Sequence, residues 1–344
     1  MDDRLTLNVR LDEPALDAQR AAVAEVVEAV AGAAKKLSRV IAAGPLVGIT
    51  GVQGGTNPDG DAQKDIDIAA DRLMRDALRA SPVAAVLSEE AELPEVLDEA
   101  ALLCVAIDPL DGSANLENNI SVGTIFSIRP KVGDVLSTFF EPGTAQCAAG
   151  FFIYGPQTSL VLAVDGRVDF FILNPASDEF VLVNRGVHIP PDTPEFAINA
   201  SNRRHWSSPV RGYIDECVAG VNGERGRDFN MRWIGSLVAE AYRILVRGGV
   251  FLYPADARPG YSEGRLRLVY EAHPIALIME WAGGAASSGR ARILELSART
   301  PHQRVPLIMG SPRAVRDIDV VHEGIPPLFE SGDAPLFARR GLFR

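Results

Sequence analysis

The stretch VAIDPLDGSANL, residues 105–116, runs from apolar residues directly into two closely spaced aspartates. Asp-Pro and Asp-Gly are turn-forming pairs, so one interpretation is that a strand ends here and polar residues make the corner. That interpretation accounts for Pro109, Gly112 and one aspartate, but it does not require both Asp108 and Asp111. We therefore predict a strand that is followed by a pair of functional carboxylates.

A second pair of acids follows another short apolar run, because VLSEE at 86–90 ends in Glu89 and Glu90. In layered sheets, ligands gather beyond the carboxyl ends of strands. Four carboxylates at neighbouring strand ends repel one another unless cations lie between them. The five histidines are scattered without metal-binding spacing, and a site with oxygen ligands alone favours Mg²⁺ or Mn²⁺ over zinc. The sequence therefore predicts a magnesium site.

Two further acids, Asp61 and Asp67 in GDAQKDID, flank the predicted start of a helix. Aspartate is common there as a helix cap, so the capping and the functional interpretations both stay open. A magnesium cage beside a DGS segment whose amides can receive an anion predicts phosphoryl transfer to water. One more carboxylate would take the proton from that water. The sequence has no GxxxxGK[ST] or GxGxxG motif, so a nucleotide-driven kinase is not indicated.

Length and composition limit the class of protein. A chain of 344 residues predicts two domains, and the proline-rich segment IPPDTPE places them at 1–190 and 191–335. The content of 47% hydrophobic and 23% charged residues is typical of globular proteins, and no apolar run approaches a membrane span. A net charge of −11 argues against nucleic acid and anionic membranes as partners. Three distant cysteines without a CxxC pair predict reduced thiols and a cytoplasmic location.

Periodicity predicts a mixed α/β (α+β) protein. Helical spacing covers 17–43 and 65–80, and short strands follow at 83–87 and 102–107. Five apolar runs between 120 and 183, separated by turn residues, predict a large antiparallel meander. After the proline-rich segment we predict helices near 206–218, 235–247 and 272–283, with strands near 250–253 and 266–270.

The segment DPLDGSANLENNISVGTIFSI at 108–128 resembles the signature of class I fructose-1,6-bisphosphatases, within the Mg²⁺-dependent, lithium-sensitive sugar and inositol phosphatase superfamily. The resemblance covers most of the chain, and NASNRRHW and MRWIGS are similar to the bacterial branch. It implies a layered α-β-α-β-α fold with mixed, largely antiparallel sheets, and a homotetramer. The other segments that carry it are GGTNPDGDAQKDID (54–67), LSEE (87–90), GSLVAEAYRILVRGGVFLYPAD (235–256), RLRLVYEAHPIALIMEWAGG (265–284) and HQRVPLIMGSP (302–312).

Position by position, the resemblance also implies residue roles. Two to three Mg²⁺ ions, or Mn²⁺, would be held by Glu89, Asp108, Asp111, Glu271, the Leu110 carbonyl and Asp61. The acids that activate the attacking water would be Glu90 and Asp67. The 1-phosphate would lie over Asp111, Gly112, Ser113 and Ala114. The sugar and 6-phosphate would contact Asn199, Tyr253, Arg265 and, from a neighbouring subunit, Arg232. Without the motifs, Glu271 can be interpreted as an ordinary acid in a first helical turn, and the surface interpretation is the better one for the two arginines.

The implied reaction is hydrolysis of the 1-phosphate of D-fructose 1,6-bisphosphate, in gluconeogenesis or the Calvin cycle. This sequence departs from the family pattern at Ala114, Arg265, Asn202 and Trp233. Because of these departures, the alternative is a sedoheptulose-1,7-bisphosphatase, or an enzyme that acts on both substrates. A non-catalytic sugar-phosphate sensor would require the loss of a catalytic acid, and every one is present in the sequence.

Two forms of regulation found in the family are not expected here. Many members are inhibited by AMP through a GTGELT-type loop and a Lys-Tyr pair, but this sequence has Leu102 and Leu103 at the pair and only Arg129 matches. Plastid members are activated by thioredoxin through an insertion that bears cysteines, whereas this chain has only Cys147 in that region. We therefore predict insensitivity to AMP and to reduction.

Overall fold

The computed structural model describes residues 5–11, 17–47, 53–56 and 62–323. Its helices are α1 (Leu7–Leu11), α2 (Ala18–Ala43), α3 (Asp65–Arg79), α4 (Val135–Phe140), α5 (Ser208–Ala219), α6 (Leu237–Arg247), α7 (His273–Trp281) and α8 (Pro312–His322), with a π-helix at Leu268–Ala272. Its strands are β1 (Gln53–Thr56), β2 (Ala62–Lys64), β3 (Val83–Ser88), β4 (Glu95–Val96), β5 (Leu103–Asp111), β6 (Val122–Pro130), β7 (Ala148–Tyr154), β8 (Thr158–Val164), β9 (Arg167–Asn174), β10 (Glu179–Asn184), β11 (Glu195–Ala197), β12 (Asn230–Met231), β13 (Val250–Tyr253), β14 (Leu266–Arg267), β15 (Ala285–Ser287), β16 (Arg304–Val305) and β17 (Leu307–Gly310).

Two mixed sheets carry most of these strands. The larger has eight strands in the order β10-β9-β8-β7-β6-β5-β3-β4, and each neighbouring pair is antiparallel except β3 with β5. The meander predicted between 120 and 183 is confirmed as strands β6 to β10. The smaller sheet has the order β12-β11-β13-β17-β15, and its first three strands run parallel.

The helices divide among the faces of these sheets. Helix α2 has apolar side chains at helical spacing, and it packs with α1 and α3 on one face of the large sheet. Helices α6 and α7 fill the space between the two sheets, and α5 and α8 cover the outer face of the smaller sheet. Five layers result, in the order α-β-α-β-α, so the predicted fold class is confirmed.

The structure differs from the predicted elements at two places that matter for the site. The predicted strand at 266–270 is wrong beyond Arg267, because Leu268–Ala272 forms a π-helix. These five residues are all buried, and periodicity alone cannot distinguish a buried strand from a buried helix. The second difference is that β5 continues to Asp111, so the two aspartates lie in the strand instead of after it.

The central layer belongs to both halves of the chain. One hydrophobic core contains Phe151 of the large sheet, Ile189, and Leu277 of α7, so the division at residue 190 stays a prediction. Within the described residues, no helix is both long and apolar enough to cross a membrane. Cys104 and Cys217 are buried free thiols, and Cys147 is a half-buried one.

Candidate active site

The ends of β3 and β5 bring acids from the two predicted pairs together. The strands are parallel neighbours, so their carboxyl ends meet at one edge. Glu89 directly follows β3, and its N–H donates to the carbonyl of Ile107 on β5 at 3.0 Å. The carboxyl groups of Glu89 and Asp108 are hydrogen-bonded to each other. The predicted juxtaposition is therefore present for Glu89 and Asp108.

A bulge in β5 turns both aspartates toward one point. Asp108 lies opposite Ile125 and Asp111 opposite Gly123, so three steps along β5 match two steps along β6. Residues three apart in a regular strand face opposite sides, and an extra residue re-aims the side chain that follows it. The partner position requires glycine, because a Cβ at Gly123 would lie 2.2 Å from the carbonyl oxygen of Phe152.

Asp111 is held by the beginning of α6. Its Oδ2 accepts the N–H of Val238 at 3.2 Å, and the N–H of Leu237 also contributes. Ser236 caps this helix by accepting the N–H of Ala239 at 3.4 Å. The N-terminus of a helix stabilises a negative charge. The helix from the second half of the chain therefore orients a carboxylate from the first half.

The π-helix delivers the third acid. The Oε2 atom of Glu271 accepts the N–H of Arg267 at 2.5 Å. One carboxylate oxygen from each of Asp108, Asp111 and Glu271 lies within 4.8 Å of the others. Single π-turns occur frequently at functional sites, because the wider turn changes where a side chain points. We call these three residues together with Glu89 the acidic centre.

The acidic centre carries more negative charge than its surroundings balance. Burial, and then the charges of Glu89, Asp111 and Glu271, raise the pKa of Asp108 well above its usual value. Burial is also the main cause that raises the pKa of Glu271 and lifts the pKa of Asp111 to about 7. A buried set of oxygen donors whose charges oppose one another fits a hard divalent cation such as Mg²⁺.

Arg267 contacts the acidic centre, and sequence analysis missed it. Its Nη1 lies 2.9 Å from Oε1 of Glu89, while its backbone N–H binds Glu271. A signal for it existed in the sequence, because Arg265 and Arg267 flank the buried Leu266 on β14. Alternate residues of an extended segment share one face. Because Arg265 was predicted to lie at this site, Arg267 could have been predicted to lie on the same side.

The segment after β5 turns sharply toward α3. Gly112 adopts a left-handed conformation with φ of 75°, which favours glycine, and Ser113 and Ala114 then begin a 3-10 helix. Asp67 hydrogen-bonds Ser113 and also accepts the N–H of Lys64 at 2.8 Å. Burial raises the pKa of Asp67. Asp67 therefore caps its helix and also contacts the predicted phosphate-binding segment, so the two interpretations are compatible.

Glu90 lies in the turn that follows β3, where it is half-buried. Its N–H donates to Oγ of Ser88 at 3.3 Å, and Ser88 in turn donates to Oδ1 of Asp71 at 2.6 Å. Arg75 holds the other oxygen of Asp71 at 3.3 Å. This turn is thus fixed to helix α3, which also carries Asp67. The remaining predicted acid, Asp61, lies outside the described residues.

The predicted sugar-binding residues lie at the end of β13 and in the segment before β14. The Arg265 guanidinium lies 5.8 Å from the centre of the Tyr253 ring and 4.6 Å from that of Tyr261. Burial raises the pKa of Tyr253, and the nearby charges of Arg265 and Glu271 act on it in opposite directions. Tyr253 therefore lies close to the acidic centre.

Two other predicted residues make different contacts. Asn199 caps the 3-10 helix Ala200–His205, and its Oδ1 accepts the N–H of Ser201 at 3.2 Å. Arg232 has its Nε 3.9 Å from Oε1 of Glu195, and its side chain is 52% exposed. Arg232 thus contacts Glu195 on β11 of its own chain, and its role toward a neighbouring subunit stays a prediction.

Comparison with known proteins gives a consistent result. Residues 7–185 match the model of the fructose-1-6-bisphosphatase N-terminal domain, and residues 189–323 match that of the C-terminal domain. A Bradyrhizobium protein named fructose-1,6-bisphosphatase class 1 is 70% identical over 98% of this chain and 94% of its own. A Nitrobacter vulgaris protein of the same name is 56% identical over the full length of both chains.

A solved structure agrees with these relatives. The holo form of Leishmania major fructose-1,6-bisphosphatase superimposes with a TM-score of 0.86 at 31% identity, and the match covers 93% of this chain and 99% of that chain. The fold, the clustered acids and the full-length similarity to bacterial proteins all agree. This chain belongs to the fructose-1,6-bisphosphatase family.

Proposed function

We propose that this protein hydrolyses the 1-phosphate of D-fructose 1,6-bisphosphate, giving fructose 6-phosphate and inorganic phosphate in a metal-dependent reaction. The observation that carries the proposal is the convergence of three buried carboxylates, Asp108, Asp111 and Glu271, in a chain 70% identical to a class 1 enzyme. The sedoheptulose-1,7-bisphosphatase alternative is not favoured, since the most similar relatives carry the fructose name.

The metal ligands in this proposal are Glu89, Asp108, Asp111, Glu271 and the carbonyl of Leu110, with Asp61 as a further ligand. They would hold two to three Mg²⁺ ions, or Mn²⁺. Bound there, the metal supplies Lewis-acid stabilisation of the charge on the phosphoryl oxygens. The raised pKa values of Asp108 and Glu271 support this assignment, because burial and the neighbouring carboxylates both oppose ionisation and a divalent cation bound there would offset that cost.

The protein's own groups bind the phosphate and move the proton. The amides of Gly112, Ser113 and Ala114 receive the 1-phosphate next to Asp111. Glu90 and Asp67 act as the proton acceptors for the attacking water. Burial raises the pKa of Asp67, and a proton acceptor works best when its pKa lies near the operating pH.

The other end of the substrate is bound by Asn199, Tyr253 and Arg265, with Arg232 contributed by a neighbouring subunit of a homotetramer. Arginine suits a phosphate because its planar guanidinium donates two parallel hydrogen bonds. The edge of the smaller sheet supports a subunit contact at this point, since Met231 and Ile234 are apolar and exposed on either side of Arg232.

The proposal extends to cellular context. It includes a cytoplasmic enzyme of gluconeogenesis or the Calvin cycle, and an N-terminal domain to residue 190 that carries most metal ligands. The widely separated, unpaired cysteines are consistent with a reducing compartment.

The proposal is tested by phosphate release from a panel of substrates with Mg²⁺. The panel contains fructose 1,6-bisphosphate, sedoheptulose 1,7-bisphosphate, fructose 1-phosphate and inositol 1-phosphate. We expect the highest kcat/KM for fructose 1,6-bisphosphate, and no turnover above background with an Asp108→Asn control. A higher kcat/KM for the seven-carbon bisphosphate would reassign the substrate, and turnover of none of the four would reject the activity.

A further inference from the structure

A second buried cluster of charges lies at the edge of the smaller sheet, next to Arg232. Glu195, the first residue of β11, is buried. Its Oε2 accepts a hydrogen bond from Arg243 at 3.0 Å, and its Oε1 accepts one from Arg247 at 2.5 Å. Arg232 approaches the same Oε1 at 3.9 Å. One enclosed carboxylate thus has three guanidinium groups around it, and we call these four residues the arginine cluster.

Glu195 is ionised in this environment. Burial by itself would raise the pKa of its carboxyl, but the hydrogen bond from Arg247 and the charges of the three arginines outweigh burial and lower it. The side chain therefore keeps its negative charge at neutral pH and attracts each guanidinium. Arg243 is the most enclosed of the three cations, so it is the one that anchors the carboxylate to α6.

A fully buried acid connects the arginine cluster to the backbone that carries Arg232. Glu240 accepts the N–H of Ile234 at 2.7 Å through Oε1 and Nε of Arg243 at 3.1 Å through Oε2. On the other side, the N–H of Arg232 donates to the carbonyl of Phe196 at 2.8 Å. The backbone is therefore held by hydrogen bonds on both sides of residue 233. The hydrogen-bonded side chains of Glu240, Arg243 and Glu195 then lead to the side chain of Arg232.

The stacked ring of Trp233 further restrains the backbone of this segment. The ring stacks on Phe251 with centroids 5.9 Å apart and planes 3° apart. The segment therefore has a hydrogen-bonded backbone, a stacked ring between those hydrogen bonds and a charged partner for its exposed side chain. A loop that only covered the sheet edge would not need a buried Glu–Arg–Glu chain, since burying charges is costly unless each is paired.

The balance of charge in and around the arginine cluster favours an anionic ligand. Three arginines face the two carboxylates of Glu195 and Glu240, so one positive charge is in excess. That excess lies at the surface, because Arg232 and Arg247 are 52% and 57% exposed. An exposed guanidinium that lies beside a fixed carboxylate can still donate hydrogen bonds to a phosphate ester.

We propose that Glu195, held in place by Arg243 and Glu240, is a positioning residue that orients Arg232 for the 6-phosphate of the substrate. This inference rests on the proposed function, in which Arg232 binds that phosphate in a neighbouring subunit. A flexible arginine loses side-chain entropy when it binds an anion, and an arginine oriented in advance loses less. Glu195 contacts no part of the substrate and acts only through Arg232.

The test is Glu195→Gln, which keeps the size of the side chain and removes its charge. We expect KM for fructose 1,6-bisphosphate to rise about tenfold, the ratio that corresponds to about 1.4 kcal/mol of binding, with kcat and the Mg²⁺ requirement unchanged. In an Arg232→Met background the same substitution should raise KM no further. The matched control is Asp192→Asn, which removes the carboxylate that holds Arg227 at 2.6 Å and should leave KM unchanged.

The outcomes separate this inference from the proposed function. An Arg232→Met protein with an unchanged KM would reject the role of Arg232, and with it both proposals about this phosphate. If Arg232→Met raises KM but Glu195→Gln does not, or if the two effects add fully, only the positioning role is rejected. Should Glu195→Gln yield unfolded protein by thermal melting, Arg243→Lys provides the same comparison, because it keeps a cation but loses the fork that joins Glu240 to Glu195.

Discussion

The acidic centre and the arginine cluster are both built around buried carboxylates, and they differ in which sign is in excess. In the acidic centre four carboxylates meet the guanidinium of Arg267. In the arginine cluster three guanidinium groups face the carboxylates of Glu195 and the neighbouring Glu240. Unpaired buried charge is costly, so the excess in the acidic centre favours a metal ion, whereas the excess in the arginine cluster lies on exposed side chains that are accessible to a phosphate.

A third charged group shows that an excess of charge does not by itself identify a ligand site. Arg10 and Asp169 are both fully buried and pair at 2.9 Å. Arg167 also binds Asp169, and Arg20 binds the adjacent Asp165. These five side chains, three arginines and two aspartates, fasten the N-terminal helices to the β8–β9 hairpin and carry one positive charge in excess. An excess of charge therefore marks a candidate ligand site only where another observation points the same way, such as the convergence of carboxylate oxygens in the acidic centre.

Removal of the metal should have the largest effect on the acidic centre. We expect a chelator such as EDTA to reduce phosphate release to background, because the carboxylates repel both one another and the substrate's phosphate without a cation. Adding Mg²⁺ or Mn²⁺ in excess should restore the activity, and adding Na⁺ at the same ionic strength should not. Full turnover in excess chelator would show that the acidic centre does not act through a bound metal ion.

The next largest effect is expected from Glu90→Gln. The substitution removes a proton acceptor and keeps the shape of the side chain, so kcat should fall by roughly 10²–10⁴-fold. KM should change little, because Glu90 is not among the proposed phosphate contacts. Steady-state kinetics against an Asp98→Asn control, which alters an acid in the loop after β4, would measure the effect. An unchanged kcat would assign the base to Asp67.

Stability in the absence of metal should depend on pH in an unusual direction. The pKa of Asp111 is raised from 3.8 to about 7 by burial, so its contribution to stability is complete below about pH 3.8 and is lost as pH rises through about 7. We expect the thermal unfolding midpoint, measured in chelator, to decrease as the pH is raised from about 3.8 to about 7. Mg²⁺ should make this decrease smaller. An Asp111→Asn protein should show a shallower slope, and an identical slope would contradict the raised pKa.

The smallest expected effect concerns AMP. The contrast between the buried Arg129 and the exposed Arg232 predicts that AMP does not bind at Arg129. Unlike Arg232, Arg129 is fully buried, and its guanidinium donates to the carbonyls of Glu141 and Pro142 and contacts Nδ1 of His273 at 2.8 Å. A guanidinium enclosed in this way has no open face for a phosphate. We expect initial rates to stay within error at millimolar AMP. Cooperative inhibition at micromolar AMP would reveal a different nucleotide site.

Much of the fold could be predicted from local sequence patterns. Helices α2, α3, α5, α6 and α7 and the meander from β6 to β10 follow from spacing and turn residues, because each depends on residues close together in the chain. The acids at 89, 108 and 111 were predicted as a group for a related reason. Each follows or ends an apolar run, and the ends of adjacent parallel strands must meet.

The sequence by itself thus determined which apolar runs form the strands that lead to the site, the predominance of oxygen ligands and the family resemblance. Only the tertiary structure decided how those groups are aimed: the bulge between Asp108 and Asp111, the π-helix that presents Glu271, and the placement of Arg267 against Glu89. The same holds for Glu195, whose partners lie 37 to 52 positions away along the chain. Periodicity records which face of an element is buried, but the pairing of buried charges depends on distances between elements, and those distances exist only once the layers have packed.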